Sequence, residues 1–172
     1  RDSPFTITTG FDRKNLYFGV SHPHDKYSET VRIVEKYKDN CGIIYCSTRK
    51  NVESVCEKLC ADGYNASRYH AGLSDEERRK NQDDFIFDRV QVMVATNAFG
   101  MGIDKSNVSY VIHYNMPKNI ESYYQEAGRA GRDGNEAKCI LLYSGQDVAT
   151  NKFLINNSHD NPDLCLLYTS DA

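Results

Sequence analysis

Two arginines stand three residues apart in a glycine-rich segment, QEAGRAGRDG at residues 125–134. Arginine is always charged, and its planar guanidinium matches the oxygens of a phosphate. On a helical turn Arg129 and Arg132 would lie on one face. The glycines beside them let a ligand or another backbone come close. The segment predicts two guanidiniums presented to a polyphosphate, and the alternative is a surface turn with two solvated arginines.

A second glycine-rich segment, ATNAFGMGIDK at residues 95–105, follows a β-branched run, where a phosphate-binding loop is expected. Gly100 and Gly102 free the backbone for a close approach. Thr96 offers a hydroxyl, and Asp104 can accept a hydrogen bond from a ribose hydroxyl. An ordinary tight turn is the alternative. Because the P-loop pattern GxxxxGK[ST] occurs nowhere in the sequence, the two segments predict half of a nucleotide site, completed by another domain.

Strand and helix signals alternate along the chain and predict the elements that would position these segments. Predicted strands cover residues 16–20, 42–46, 64–70, 90–96, 108–116 and 137–143, and predicted helices begin near Arg49, Asp75, Asn119 and Gln146. Such alternation is typical of βαβ units. We therefore expect an α/β domain with a mainly parallel sheet, helices on both faces, and ligands at the carboxyl ends of the strands.

The composition limits the class of partner. The 172 residues include 21 Lys and Arg against 24 Asp and Glu, so the net charge of −3 argues mildly against coating nucleic acid by bulk charge. No apolar run reaches the roughly 18 residues of a membrane helix, so we expect no membrane partner. Six cysteines form no CxxC pair and no zinc-finger spacing. Free thiols, several of them buried, and no bound metal are expected.

Four segments, taken in order, resemble the second RecA-like motor domain of the RecQ family of DNA helicases, in helicase superfamily 2. They are GIIYCSTRKNVE, YHAGLSDEER, ATNAFGMGIDK and QEAGRAGRDG. FDRKNLYFGV, at residues 11–20, resembles the segment that leads from the first motor domain into the second. The resemblance implies a RecA-like three-layer domain. It also implies an entry segment at residues 1–22, the motor domain at 23–156, and a truncated or non-native tail at 157–172.

For the nucleotide side of the domain, the resemblance implies a role for each matched residue. Arg132 would be the arginine finger, and Arg129 a supporting contact of the γ-phosphate. Gln125 would couple the nucleotide to the nucleic acid. Gly102 and Asp104 would face the nucleotide.

The resemblance also implies a set of residues near the nucleic-acid backbone: Ser47, Thr48, Arg49, His70, Gly72 and Thr96. Two of these have a structural alternative, because Thr48 fits a helix N-cap and His70 fits a structural histidine. We expect Tyr123 and Tyr124 to be core residues rather than base-stacking platforms. His113 lies inside a predicted strand and is expected in the core or at its edge.

For the whole protein, the resemblance implies an ATP-dependent 3′–5′ DNA helicase. ATP and Mg²⁺ would be held mainly by the missing first motor domain, and this chain alone would not hydrolyse ATP appreciably. The expected partners are single-stranded or duplex DNA and the first RecA-like domain of the same protein, in a bacterial cytoplasm or nucleoid or a eukaryotic nucleus.

Two alternatives stay open, an RNA helicase of the same superfamily and a non-catalytic RecA-like binding module. Lys14 stands where the family usually has proline. The four-cysteine zinc module that follows many family members has no match here, since only Cys165 lies beyond the resemblance, so zinc is not expected.

Overall fold

The computed structural model describes residues 3–5, 13–100 and 103–144, and these contain seven strands and four helices. The strands are β1 (Ser3–Phe5), β2 (Leu16–Ser21), β3 (Cys41–Tyr45), β4 (Ala66–Tyr69), β5 (Val92–Ala95), β6 (Val108–His113) and β7 (Ala137–Leu142). The helices are α1 (Lys26–Lys36), α2 (Arg49–Ala61), α3 (Asp75–Ile86) and α4 (Ile120–Ala127).

The described strands form one sheet in the order β1-β2-β7-β6-β3-β5-β4. Six of them, β2 to β7, run parallel, and β1 pairs antiparallel with β2 at the edge. Leu16 of β2 pairs with Ala137 of β7, so β7 inserts between β2 and β6. The prediction of a mainly parallel sheet is confirmed.

The central strands are apolar on both sides because helices cover both faces of the sheet. Every residue of β3 and β5 is buried. On one face Tyr45 packs in a core that includes Phe85 of α3 and Tyr123 of α4. On the other face Ile44 packs with residues of α1 and α2, among them Val55. The result is three layers, helix–sheet–helix, as the alternating pattern predicts.

Each described helix begins at a polar side chain that accepts a hydrogen bond from a backbone N–H three residues further on. These caps are Asp25, Thr48, Ser74 and Asn119. Thr48 is therefore an N-cap, which confirms its structural alternative. Helix α2 is terminated by a glycine: Gly63 has a φ of +91°, and Tyr64 N–H donates to the Leu59 carbonyl.

Several boundaries differ from the sequence prediction. Helix α1 and strand β1 were not predicted, and the strands predicted at 64–70, 90–96 and 108–116 are shorter in the structure. The helix predicted from Gln146 lies outside the described residues. Strand β2 lies within the predicted entry segment 1–22 and is a full member of the sheet. The boundaries at residues 22 and 156 stay predictions.

Among the described helices, none combines the length and the hydropathy that a membrane span requires.

Candidate functional site

The two glycine-rich segments lie against each other at the start of β6. Helix α4 ends at Ala127, and residues 128–135 then form a turn, which we call the arginine turn. Gly131 N–H donates to the Val108 carbonyl at 2.9 Å, and Asp133 N–H donates to the Ser106 carbonyl at 3.0 Å. These two bonds tie the turn to the chain that enters β6.

Arg129 points inward from the arginine turn. Its guanidinium lies beneath Gly100, where a β-carbon would overlap Nε and Cζ of the arginine. Nε is buried and has no hydrogen-bond acceptor among the described residues. The same guanidinium lies near the Tyr45 hydroxyl, whose pKa is raised by burial and lowered in part by the Arg129 charge. Arg129 therefore carries a buried N–H without a described acceptor.

Arg132 is exposed, and its Nη1 donates to the Ile103 carbonyl at 3.2 Å. Asp104, the next residue after Ile103, is also exposed. Both arginines of the turn thus contact the second glycine-rich segment, one at Gly100 and one at Ile103. Gly102, the remaining predicted nucleotide-side residue of that segment, lies outside the described residues.

Gln125 lies one turn of helix before the arginines, exposed on α4. It lines a groove of about 520 Å³ between α4 and β2, together with Arg13, Leu16, Phe18 and Tyr124. The sequence analysis names Gln125 as a site residue but does not predict the groove beside it. Gln125 therefore lies on the helix that leads into the arginine turn, with its side chain exposed at the groove.

The residues predicted to lie near nucleic acid follow the carboxyl ends of three adjacent strands. Ser47, Thr48 and Arg49 follow β3, Thr96 follows β5, and His70 and Gly72 follow β4. We call these six residues the carboxyl-edge group. Ser47, Thr48, Arg49 and Gly72 are exposed, and Thr96 is half-buried. Because β3, β5 and β4 are neighbours in a parallel sheet, the group shares one edge.

His70 is the exception within the carboxyl-edge group, because its ring is engaged inside the protein. Gly72 N–H donates to Nδ1 at 3.0 Å, so Nε2 carries the proton and donates to Glu53 at 2.7 Å. Arg68 binds the other oxygen of Glu53. With only 7% of His70 exposed, this geometry favours the structural alternative over a direct phosphate contact.

Asn115 is a site residue that the sequence analysis missed. Its Oδ1 accepts from Ser47 N–H at 3.0 Å and from the Asn51 side chain at 3.2 Å. Asn115 thereby joins the segment after β6 to the segment after β3. A polar residue just beyond the end of a predicted strand is the signal that could have found it.

A second missed residue is Glu126, which is buried beside Gln125 on α4. Its Oε1 lies 3.0 Å from Nε2 of His113, which is 1% exposed and stacks on Tyr45. The core placement predicted for His113 and Tyr123 is confirmed, and Tyr124 is half-buried at the groove. The His113–Glu126 pair fixes α4, and with it Gln125, against β6.

Within residues 13–100 and 103–144, no three His, Cys, Asp or Glu side chains are grouped to hold a metal ion. The five cysteines in those ranges are free, and four of them are buried, which confirms the expectation of free thiols. Burial raises the pKa of three of these thiols to about 12: Cys46, Cys56 and Cys139. These thiols stay protonated at neutral pH.

A family model described as "Helicase conserved C-terminal domain" matches residues 25–134. The ATP-dependent DNA helicase RecQ of Bacillus subtilis is 48% identical over 153 residues, which cover 89% of this chain and 26% of that protein. A protein of Acanthamoeba polyphaga mimivirus, provisionally named ATP-dependent RNA helicase R290, is 43% identical over 157 residues, 90% of this chain and 29% of that protein.

Among solved structures, a DEAD box protein from the hyperthermophile Methanococcus jannaschii superposes with a TM-score of 0.70 at 26% identity. The superposition covers 81% of this chain and 38% of that one. The chain spans about a quarter of the length of the curated relatives it matches.

Proposed function

This chain belongs to the helicase conserved C-terminal domain family, in its RecQ branch, and from that premise we propose that it supplies half of an ATP site in a longer DNA helicase. The observation that carries the proposal is the contact of both arginines with the second glycine-rich segment. Arg129 lies beneath Gly100, and Arg132 donates to the Ile103 carbonyl. The two glycine-rich segments therefore form one surface, although each alone is weak evidence for a nucleotide site.

Arg132 is the residue best placed to act on a phosphate of another domain, because it is exposed at the rim of that surface. In the proposed mechanism ATP is bound by the first motor domain, and closure brings its γ-phosphate to Arg132. The guanidinium stabilises the charge that develops during transfer to water. An arginine finger typically contributes roughly 10³–10⁵ in rate. Arg129, Gln125 and Asp104 would line the same cleft.

Mg²⁺ is assigned to the first motor domain, together with most of the ATP contacts. The described residues of this chain offer no group of three metal ligands. Because the sequence contains no P-loop pattern, the isolated chain would show no appreciable ATP hydrolysis. Robust hydrolysis by the purified chain would contradict the half-site proposal.

The carboxyl-edge group, apart from the engaged His70, is the proposed nucleic-acid contact. Arg49 supplies a charge, and Ser47 and Thr48 supply exposed groups able to contact phosphate oxygens. Thr96 links this edge to the nucleotide surface, because the chain runs from Thr96 directly to Gly100. Opening of the two domains after hydrolysis would shift the grip on the strand and give 3′–5′ movement. The protein would be located where the DNA is, in the cytoplasm or nucleoid of a bacterium or in the nucleus of a eukaryote.

The second candidate is an RNA helicase, and the name of the mimivirus relative is the observation that favours it. The RecQ relative named as a DNA helicase is the more similar of the two, at 48% against 43% identity. A non-catalytic binding module is a third possibility, and an exposed Arg132 argues against it, since such a module needs no finger.

The test measures ATP hydrolysis by the full-length protein with single-stranded DNA, with RNA and with neither. Wild type is compared with Arg132→Ala and Arg132→Lys, and ATP binding is measured separately. Arg79→Ala is the matched control, because Arg79 is an exposed arginine on α3. We expect DNA-stimulated hydrolysis that falls at least about a thousandfold in Arg132→Ala, with ATP binding retained.

Each other outcome overturns a defined part of the proposal. Hydrolysis indifferent to Arg132 would remove the arginine finger. Stimulation by RNA rather than DNA would favour the second candidate. A loss in Arg79→Ala as large as that in Arg132→Ala would indicate a general effect of removing charge.

A further inference from the structure

Two side chains that precede β2 hold the arginine turn from outside. Arg13 donates from Nη1 to the Gly128 carbonyl at 3.0 Å and from Nη2 to the Ala130 carbonyl at 2.5 Å. Gly128 and Ala130 flank Arg129. The Arg13 guanidinium therefore binds the backbone on both sides of Arg129.

The position of this grip explains why an arginine is suited to it. The Gly128 and Ala130 carbonyls lie just beyond the end of α4, where carbonyls lack intrahelical donors and the helix dipole is negative. A planar fork with two parallel N–H groups can satisfy both carbonyls at once. A lysine is a compact point charge on a flexible stem and does not match this planar two-pronged geometry.

Asn15 completes the grip further along the turn. Its side chain donates to the carbonyls of Gly131 and Asn135, at 2.6 and 2.9 Å. Its own carbonyl accepts from Ala137 N–H at 3.0 Å. Gly131 has a φ of +63°, and a β-carbon there would lie 2.6 Å from the Asn15 amide nitrogen. The turn and Asn15 are thus fitted closely to each other.

We propose that Arg13 and Asn15 are positioning residues that set the orientation of Arg129 and Arg132. This inference rests on the proposed function, since it needs an arginine finger to position. It adds that residues 13–15, on the path from the first motor domain, bind the backbone of the turn that carries the finger. A shift of that path relative to α4 would withdraw the finger, so domain movement and finger presentation share one stretch of chain.

The test is a double-mutant cycle on ATP hydrolysis by the full-length protein with single-stranded DNA. Arg13→Ala is measured alone and in the Arg132→Ala background, and Arg13→Lys is measured alone. We expect Arg13→Ala to lower kcat about 10- to 100-fold with KM for ATP changed less than about threefold, because displacement of a catalytic group by about 1 Å has effects of that size. Arg13→Lys should restore part of the loss.

In the Arg132→Ala background, Arg13→Ala should lower kcat by at most about threefold, because its effect passes through a residue that is already absent. Asn81→Ala is the matched control, since Asn81 makes a similar side-chain bond to the Arg68 carbonyl, at 2.9 Å, away from the turn. Its kcat should match wild type. Thermal melting of every variant separates misplacement from unfolding.

Equal losses in both backgrounds would overturn the positioning role, as would a loss that follows the melting temperature or appears only in KM. If Arg13→Ala fails to fold, the Arg13→Lys variant decides, and wild-type kcat in that variant would also overturn the proposal. An Arg132→Ala variant with wild-type activity would overturn the proposed function itself. A collapse in Arg132→Ala beside full activity in Arg13→Ala would overturn this inference alone.

Discussion

The guanidinium of Arg129 occupies the space that a side chain on Gly100 would need. A β-carbon on Gly100 would overlap Nε and Cζ of the arginine and lie 2.8 Å from Nη2. Gly100 also has a φ of +116°, which residues with a β-carbon rarely adopt. Two independent constraints, backbone conformation and space, therefore require glycine at this position. A glycine that has only the backbone constraint can serve as the control that distinguishes them.

Gly100→Ala should both strain the backbone and expel the Arg129 guanidinium. We expect kcat for ATP hydrolysis by the full-length protein to fall at least about tenfold, because the arginine turn is displaced. Gly63→Ala is the control: its φ is +91°, and nothing lies within 4 Å of the added carbon. That variant should lose about 1–2 kcal/mol of unfolding free energy and keep its kcat. Equal kcat in the two variants would contradict the fitted arrangement.

His70 should act on stability more than on nucleic-acid binding. His70→Ala removes the acceptor of Gly72 N–H and the donor to Glu53, and should lower the free energy of unfolding, measured in urea, by about 1–3 kcal/mol.

Arg49→Ala should leave stability nearly unchanged and reduce the salt dependence of DNA binding by about one phosphate contact. Fluorescence anisotropy at several salt concentrations measures the second effect. The interpretation fails if His70→Ala lowers that salt dependence while stability is unchanged.

Lys105 should contribute stability that depends on pH. It is 5% exposed, and its Nζ donates to Asp88 at 2.6 Å and to the Ile86 carbonyl at 3.2 Å. The hydrogen bond from Lys105 lowers the pKa of Asp88. A carboxyl with a lowered folded pKa stabilises the fold above its unfolded pKa of about 3.9 and loses that contribution as the pH falls through both values.

Lys105→Met should therefore lower the free energy of unfolding by about 1–2 kcal/mol at pH 7. The loss is no larger because Asp88 is 65% exposed, so solvent screens the pair. The difference from wild type should shrink when urea unfolding is repeated below pH 4. Lys80→Met is the control, because Lys80 is exposed and Asp84 keeps Arg89 as a second partner, so this change should affect stability little. A wild-type-to-mutant difference that grows in acid would contradict the assignment.

Gly42 and Gly19 lie in two strands of the sheet and should respond in opposite ways to alanine. A β-carbon on Gly42 would overlap the ring of Tyr110, which is fully buried against Tyr37, so Gly42→Ala should cost about 1–3 kcal/mol. On Gly19 the added carbon would lie 3.2 Å from the tip of Ile140 and 3.7 Å from Cε1 of Tyr17, so only a flexible side-chain end must move. Gly19→Ala should be neutral or stabilising by up to about 1 kcal/mol. Thermal melting measures both, and a stable Gly42→Ala would show that Tyr110 can move.

The central sheet could be predicted because its strands are continuous apolar runs and its helices begin at recognisable caps. Helix α1 was missed although its sequence carries the signals, because Thr30, Ile33 and Val34 fall at i, i+3 and i+4 and Asp25 provides a cap. Ile33 and Val34 pack α1 against the sheet. Strand β1 has three residues, too few for a periodic signal.

The arginine pair and Gly100 could be predicted from residue type and spacing, and the structure brings them together. The roles of Arg13 and Asn15 could not be predicted, because they contact the turn across more than a hundred residues of sequence. Asn115 and Glu126 were missed for a related reason. The role of an amide or a carboxylate depends on the partner it contacts in the folded chain, and the sequence does not show that partner. The engaged ring of His70 likewise depends on Glu53, on a different element.

The place of β7 between β2 and β6 sets an order of events while the chain is being synthesised. Strand β2 joins the parallel strands only through β7, where Leu16 pairs with Ala137, and closing so long a loop costs entropy. The arginine turn lies directly before β7 and is gripped by residues directly before β2. A nascent chain should therefore complete the described sheet and order the arginine turn in the same late step, and a polypeptide interrupted before β7 should do neither.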